Sequence, residues 1–244
     1  MPSPVSPPPS ALPDDEAPRV RPWTIWMLIG LIAIGGVVGT QILFKKVVPE
    51  SLKKEQRLPY IGLLEKDLEA TDASGNTVRL SQLDGKVLLI AYVYTTCPRG
   101  CADVVDKMQA IQQKFADDPR LHLVSVSLNP AHDTPEQLAK FCEAHGINRS
   151  NWWFLTGDEK ALRYYMTSQV RLRPVSDIPE AERLSPEDKF DHDTRVALVD
   201  GLSHVRAHYE VNEPDPGISA LVMLKLESDL KSVLAETPAP PAAR

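Results

Sequence analysis

The chain has 244 residues, enough for one good-sized domain with extensions. Its 43% hydrophobic and 25% charged residues are ordinary for a globular protein, and a net charge of −6 removes the basic patch that nucleic-acid binding needs. Eight of the 22 prolines fall in residues 1–22 and three more in the tail TPAPPAAR. Those ends, residues 1–22 and 236–244, read as disordered or extended segments that build no core.

Residues 23–44, WTIWMLIGLIAIGGVVGTQILF, form 22 residues without a charge. A helix of that length spans about 30 Å of hydrocarbon. Trp23 and Trp26 suit one interface, and Lys45 and Lys46 end the run. The run is longer than the apolar region of a signal peptide and no A-x-A-like cleavage site comes after it, so an uncleaved single-span anchor is expected. The flank Lys45 to Arg57 carries five basic residues against Glu50 and Glu55, which by the positive-inside rule places the large downstream domain in the cytoplasm.

Residues 45–65 read as a linker and residues 66–235 as the folded domain. A hairpin turning at Gly75-Asn76 comes first, then a turn at Asp84-Gly85. VLLIAYVY (87–94) has the continuous apolar character of a central strand buried on both faces, and LHLVSVSL (121–128) is a second. Between them, from Cys97 to Phe115, the spacing turns helical, with Val104, Met108, Ile111 and Phe115 on one stripe. Thr134, Pro135 and Gln137 supply a cap, a first-turn proline and a capping box for the next helix. NWWFLTG reads as a strand, DEKALRYYMTSQ as a helix and the polar stretch 171–190 as an insertion loop. TRVALVD and SHVRAHYE pair through Asp200-Gly201, and a helix from about 215 to 234 closes the chain. The order predicts an α/β fold with a mixed sheet flanked by helices.

Cys97 and Cys101 fall at the first strand-to-helix junction, where ligand sites of open α/β sheets collect. With Pro98 starting the helix, the backbone N–H groups and Arg99 favour a thiolate at Cys97, and Cys101 lies about one turn on. The pair is close enough to form a disulfide and, when reduced, to aim two soft thiolates at one metal ion. C-x-x-x-C is one residue wider than the redox C-x-x-C motif, which suits a metal better without excluding disulfide chemistry. Three cysteines cannot make a four-cysteine zinc site. A purely structural staple is the weaker reading, since a core this large does not need one.

A third ligand has to come from six histidines. His122 opens a strand and His145 ends a helix, both structural in character. His132, in NPAHDTP, lies at the same end of the sheet as the thiols and competes. His204 and His208, four apart on one strand face, read as solvent-exposed. His192, in KFDHDTRV, comes after the insertion loop, which can carry it over the thiols. Spacing does not choose among them. Cys142, in LAKFCEAHG, reads as a small buried hydrophobe.

The segments GNTVRLSQLDGKVLLIAYVYTTCPRGC, VSVSLNPAHDTPEQLAKF, FLTGDEKALRYY and FDHDTRVALVDG resemble, in order, the Sco/SenC family. The resemblance spans about residues 66–235 and fits the N-terminal anchor. It implies a thioredoxin-like fold and a copper metallochaperone for cytochrome c oxidase assembly, not an enzyme in the usual sense. Carried over by motif, Cys97, Cys101 and His192 are the ligands of copper, a donor set that suits Cu(I) and leaves Cu(II) open, with Asp191 a hydrogen-bonding support for the imidazole. The implied partners are oxidase subunit II or another cuproprotein and, upstream, a copper donor or a thiol reductant. The domain then faces the periplasm, against the flanking charges, and an oxidised Cys97–Cys101 disulfide gates loading. The alternative is a thiol–disulfide reductase in which Cys97 attacks and Cys101 resolves. Ala102 and Arg99-Gly100 depart from the residues common at those positions in the family, which leaves the ligands intact but bears on thiol potential.

Overall fold

A computed structural model of the chain describes residues 21–47, 58–98 and 100–237. The expectations for the proline-rich start and tail, for most of the linker and for Arg99 lie outside the described residues. The chain divides into two compact units, Met1–Arg57 and Leu58–Arg244.

The first unit contributes one helix, α1 (Pro22–Val47), 26 residues long. Its large apolar side chains from Trp23 to Val38 are exposed, and its length and composition suffice to cross a membrane.

The second unit is built on β1 (Gly62–Leu63), β2 (Glu69–Asp72), β3 (Thr77–Arg79), β4 (Val87–Val93), β5 (Leu121–Ser127), β6 (Trp152–Thr156), β7 (Ser176–Asp177), β8 (Phe190–Asp191), β9 (Arg195–Val199) and β10 (His204–Glu210). Its helices are α2 (Cys101–Lys114), α3 (Pro135–Ala144), α4 (Glu159–Ser168) and α5 (Pro216–Glu236). Eight strands form one sheet in the order β1-β10-β9-β4-β5-β6-β2-β3, and β7 and β8 form a separate two-stranded ribbon. β4, β5 and β6 are parallel, while β9 lies antiparallel to β4 and β2 antiparallel to β6. This is the expected mixed sheet flanked by helices.

β4 and β5 are buried along their whole length because each is covered on both faces. Val87, Leu89, Ala91 and Val93 of β4 point to one face with Val104, Met108, Ile111, Leu138 and Leu230 of α2, α3 and α5. Leu88, Ile90 and Tyr92 point to the other with Leu162, Tyr165 and Met166 of α4. The period of two along the strand thus serves two cores.

Several local expectations are met and some are corrected. The hairpin turns at Gly75, whose φ of 83° is left-handed. Thr134 accepts from the Gln137 amide at 3.4 Å, which is half of the capping box. The stretch 171–190 is not a plain loop: β7 and β8 pair through it, and Ile178 and Asp188 are buried. α2 starts at Cys101, not at Pro98. Its N-cap Gly100 stands at φ 99°, a left-handed kink that breaks helical continuation from Cys97.

Candidate metal centre

β4 delivers the chain to the sheet's C-terminal edge, where Tyr94, Thr95 and Thr96 turn it into the cysteine loop. The Cys97 amide donates to the Tyr94 carbonyl at 3.0 Å. Thr95 donates from its hydroxyl to Asp133, which also accepts from Ser127 Oγ at 2.6 Å. The side chain of Asp133 is completely buried, so this loop is tied to the end of β5 by a carboxylate that water does not reach. Gly100 closes the turn, and a Cβ there would stand 2.7 Å from the Asn212 side chain. Its left-handed backbone angle is what demands glycine, while the Asn212 side chain would have to shift to admit a Cβ.

Past the ribbon, His192 stands between β8 and β9. Its Nε2 lies 3.0 Å from Cys101 Sγ, and the ligand atoms of Cys97, Cys101 and His192 all lie within 4.8 Å of one another. Cys97 from the loop, Cys101 from the first turn of α2 and His192 from 91 positions after Cys101 have been brought to a single point. His192 Nδ1 lies 3.3 Å from the Phe190 carbonyl oxygen. A carbonyl can only accept, so Nδ1 carries the proton, and the Nε2 lone pair is turned toward the sulfurs. The rings of Tyr92 and Tyr94 meet the imidazole edge-on, with centroids 6.5 and 6.4 Å away. These rings shield one side of the site.

The electrostatics favour the neutral forms of Cys101 and His192. Cys101 is buried, and its thiol is pushed far above the usual thiol range by its hydrogen bond with Cys97, by burial and by the Cys97 and Asp133 charges. Burial holds His192 below the ordinary imidazole value, against the opposing pull of the Phe190 carbonyl and the charges of Asp191 and Asp193. No disulfide joins Cys97 and Cys101 in this structure, and Cys97 is partly exposed in front of its buried partner. Two thiols and one imidazole nitrogen form a soft, low-coordination donor set of the type that takes Cu(I).

The other histidines and the third cysteine stand apart from this cluster. His132 bonds through Nδ1 to Asp133 (3.2 Å) and Thr95 (3.4 Å), supporting the loop from behind and standing outside the ligand group. His122 is buried, and burial lowers it to about 3. Cys142 is buried in the core, and burial raises its thiol to about 12. His204 and His208 are half-buried, not on an open strand face as expected. A register shift between Val205 and Ala207 breaks the alternation of β10, leaving His204 against the Tyr60 ring and His208 bonded to the Val170 carbonyl at 2.9 Å. Asp191 is corrected as well. Its side chain is exposed, the ring's Nδ1 faces Phe190 instead, and Asp191 acts on the imidazole through charge alone. Asp133 and Asp193, both buried, were not singled out by sequence: Thr95 lies 38 positions from Asp133, and the Arg173 amide lies 20 positions from Asp193.

The model of the SCO1/SenC family matches residues 62–224. The chain belongs to that family. The SCO1 protein homolog of Bacillus subtilis is 29% identical over 159 residues, covering 64% of this chain and 79% of its own. The solved structure of BsSco, described as a member of the Sco family of cytochrome c oxidase assembly proteins with a disulfide switch, superposes with a TM-score of 0.58 at 24% identity, over 73% of this chain and 98% of that one. Yeast Sco1 with copper bound gives a TM-score of 0.54 at 20% identity, over 75% and 92%. At these identities the superpositions establish the shared thioredoxin-like Sco fold.

Proposed function

We propose that this SCO1/SenC chain is a membrane-anchored copper metallochaperone that loads the binuclear copper site of cytochrome c oxidase subunit II. The observation that carries the reading is the convergence of Cys97, Cys101 and His192 on one point, with the Nε2 lone pair aimed at the two sulfurs. The copper held by yeast Sco1 and the oxidase-assembly role given for BsSco support it. Copper is cargo here. As it binds, Cys97 and Cys101 lose their thiol protons, and it leaves by ligand exchange: an incoming thiolate takes a coordination position as His192 gives one up, with no change in the metal's electron count. α1 anchors the domain, which faces the periplasm, where partner and cargo meet.

A second reading is favoured by the unequal exposure of the two thiols. As a reductase, Cys97 thiolate attacks a partner disulfide, and Cys101 then displaces the second partner thiolate. The two electrons pass to the partner, the Cys97–Cys101 bridge remains, and an external thiol reductant reopens it.

Mixing the copper-loaded, reduced chain with the reduced copper-free soluble domain of subunit II separates the two. The chaperone reading predicts copper transfer that is lost in Cys101→Ser and strongly impaired in His192→Ala. Reduction of an oxidised partner that proceeds equally well in His192→Ala, with no copper transfer by the wild type, would instead support the reductase.

A further inference from the structure

His192 needs to be held firmly enough to bind metal and loosely enough to release it, and the group that holds it is not the one the family resemblance implies. We infer that Asp193 is the positioning residue of the imidazole, clasping the root of the ribbon and so fixing where His192 Nε2 stands over the thiols. This rests on the reading of His192 as a metal ligand.

The Asp193 side chain is completely buried. One oxygen accepts from the Arg173 amide at 2.7 Å, and the other from the Arg195 amide at 3.1 Å. Arg195 adds its guanidinium, Nε at 2.9 and 3.0 Å and Nη2 at 2.6 Å. Arg173 precedes β7 and Asp193 comes after β8, so a single carboxylate closes both ends of an excursion of 20 residues. Thr194 extends the clasp into β10 by donating to Glu210 Oε1 at 2.6 Å. His192 is the adjacent residue. The clasp fixes the backbone from which the ring turns, so carrying His192 off the thiols by moving its backbone means pulling against a buried charge whose bonds water does not replace, which is costly. Asp191, on the other side, is exposed and takes part in the two-stranded ladder opposite Ser176, so it leaves the ring free to move. The clasp therefore sets how readily the imidazole leaves the site.

The test uses the full-length reduced chain in detergent micelles, pulsed without air with diethyl pyrocarbonate, with modification of each histidine read by mass spectrometry. Asp193→Asn is expected to speed His192 modification by about tenfold, the scale of a lost charged hydrogen bond, while Asp191→Asn leaves it near the wild-type rate. His122, buried in β5, reports global unfolding and stays protected. If Asp193→Asn exposes His122, Arg195→Gln, which keeps the Arg173 bond, replaces it and is expected to raise the His192 rate by a smaller factor. Equal His192 rates in wild type, Asp193→Asn and Asp191→Asn overturn the inference. A Cu(I) competition cycle then separates positioning from plain structure: Asp193→Asn weakens binding roughly tenfold in the wild-type background and has no further effect beside His192→Ala. An undiminished effect in the His192→Ala background overturns it. A wild type that holds no Cu(I), with His192 still deprotected by Asp193→Asn, refutes the copper reading and leaves the clasp standing.

Discussion

At the scale of single residues, Cys101 and His192 are both pushed toward their neutral forms. Cys101 keeps its proton because a hydrogen-bonded neighbouring sulfur, burial and nearby negative charges all disfavour the thiolate. A copper ion that binds there has to displace that proton, so affinity rises with pH. His192 works in the other direction only weakly: burial depresses it, so the ring is already neutral at the ordinary imidazole value and offers its lone pair without a proton to lose. Apparent Cu(I) affinity should therefore climb by roughly tenfold per pH unit for each proton displaced, from about pH 6 to about pH 9. Competition titrations at a series of pH values measure the slope. A plateau beginning near the imidazole pKa would show that histidine protonation, not thiol deprotonation, controls loading.

At the scale of elements, β5 carries a cost unrelated to the site. His122 is buried against the Trp153 ring, and both ring nitrogens lack a hydrogen-bond partner. Burial lowers it from 6.5 to about 3, so the folded strand refuses a proton that the unfolded chain accepts. Stability is unaffected above the unfolded value and falls as acid is added through the window between the two, by about 2 kcal/mol at pH 5. His122→Leu should flatten that fall, which urea unfolding at pH 7 and pH 5 measures. An unchanged pH dependence would show that other groups cause it.

The elements also differ in how much the sequence disclosed of them. Continuous apolar runs made β4 and β5 legible, and Thr134-Pro135 marked the start of α3, because those signals are local. The thiol pair was legible for the same reason. The start of α2 was not: Pro98 is a good first-turn residue, but the left-handed Gly100, packed on the distant Asn212, decides where the helix begins. The ribbon at 176–191 was missed because its strands are two residues each, too short for periodicity to register. His192 was singled out from six histidines by family resemblance, and its contact with Cys101 depends on strand order that no local pattern encodes. The bond from Asp193 to the Arg173 amide and the tie from Asp133 to Thr95 are invisible for that reason too.

At the scale of the whole molecule, a 26-residue apolar helix precedes a domain whose thiols sit at one end of the sheet. The basic flank after α1 favours a cytoplasmic domain, whereas an oxidase-assembly role requires the outer side. A reporter active only outside the cytoplasm, fused after Arg244, is expected to be active; activity solely from a cytoplasmic reporter would remove the oxidase as partner. The most direct measurement is a titration of the reduced chain, without air, with Cu(I) against a competing chelator, beside Cys101→Ser and His192→Ala. One copper bound tightly per chain, with affinity lost in Cys101→Ser and much weakened in His192→Ala, is the result the three-ligand site predicts. Tight binding indifferent to His192, or none at all, would contradict it.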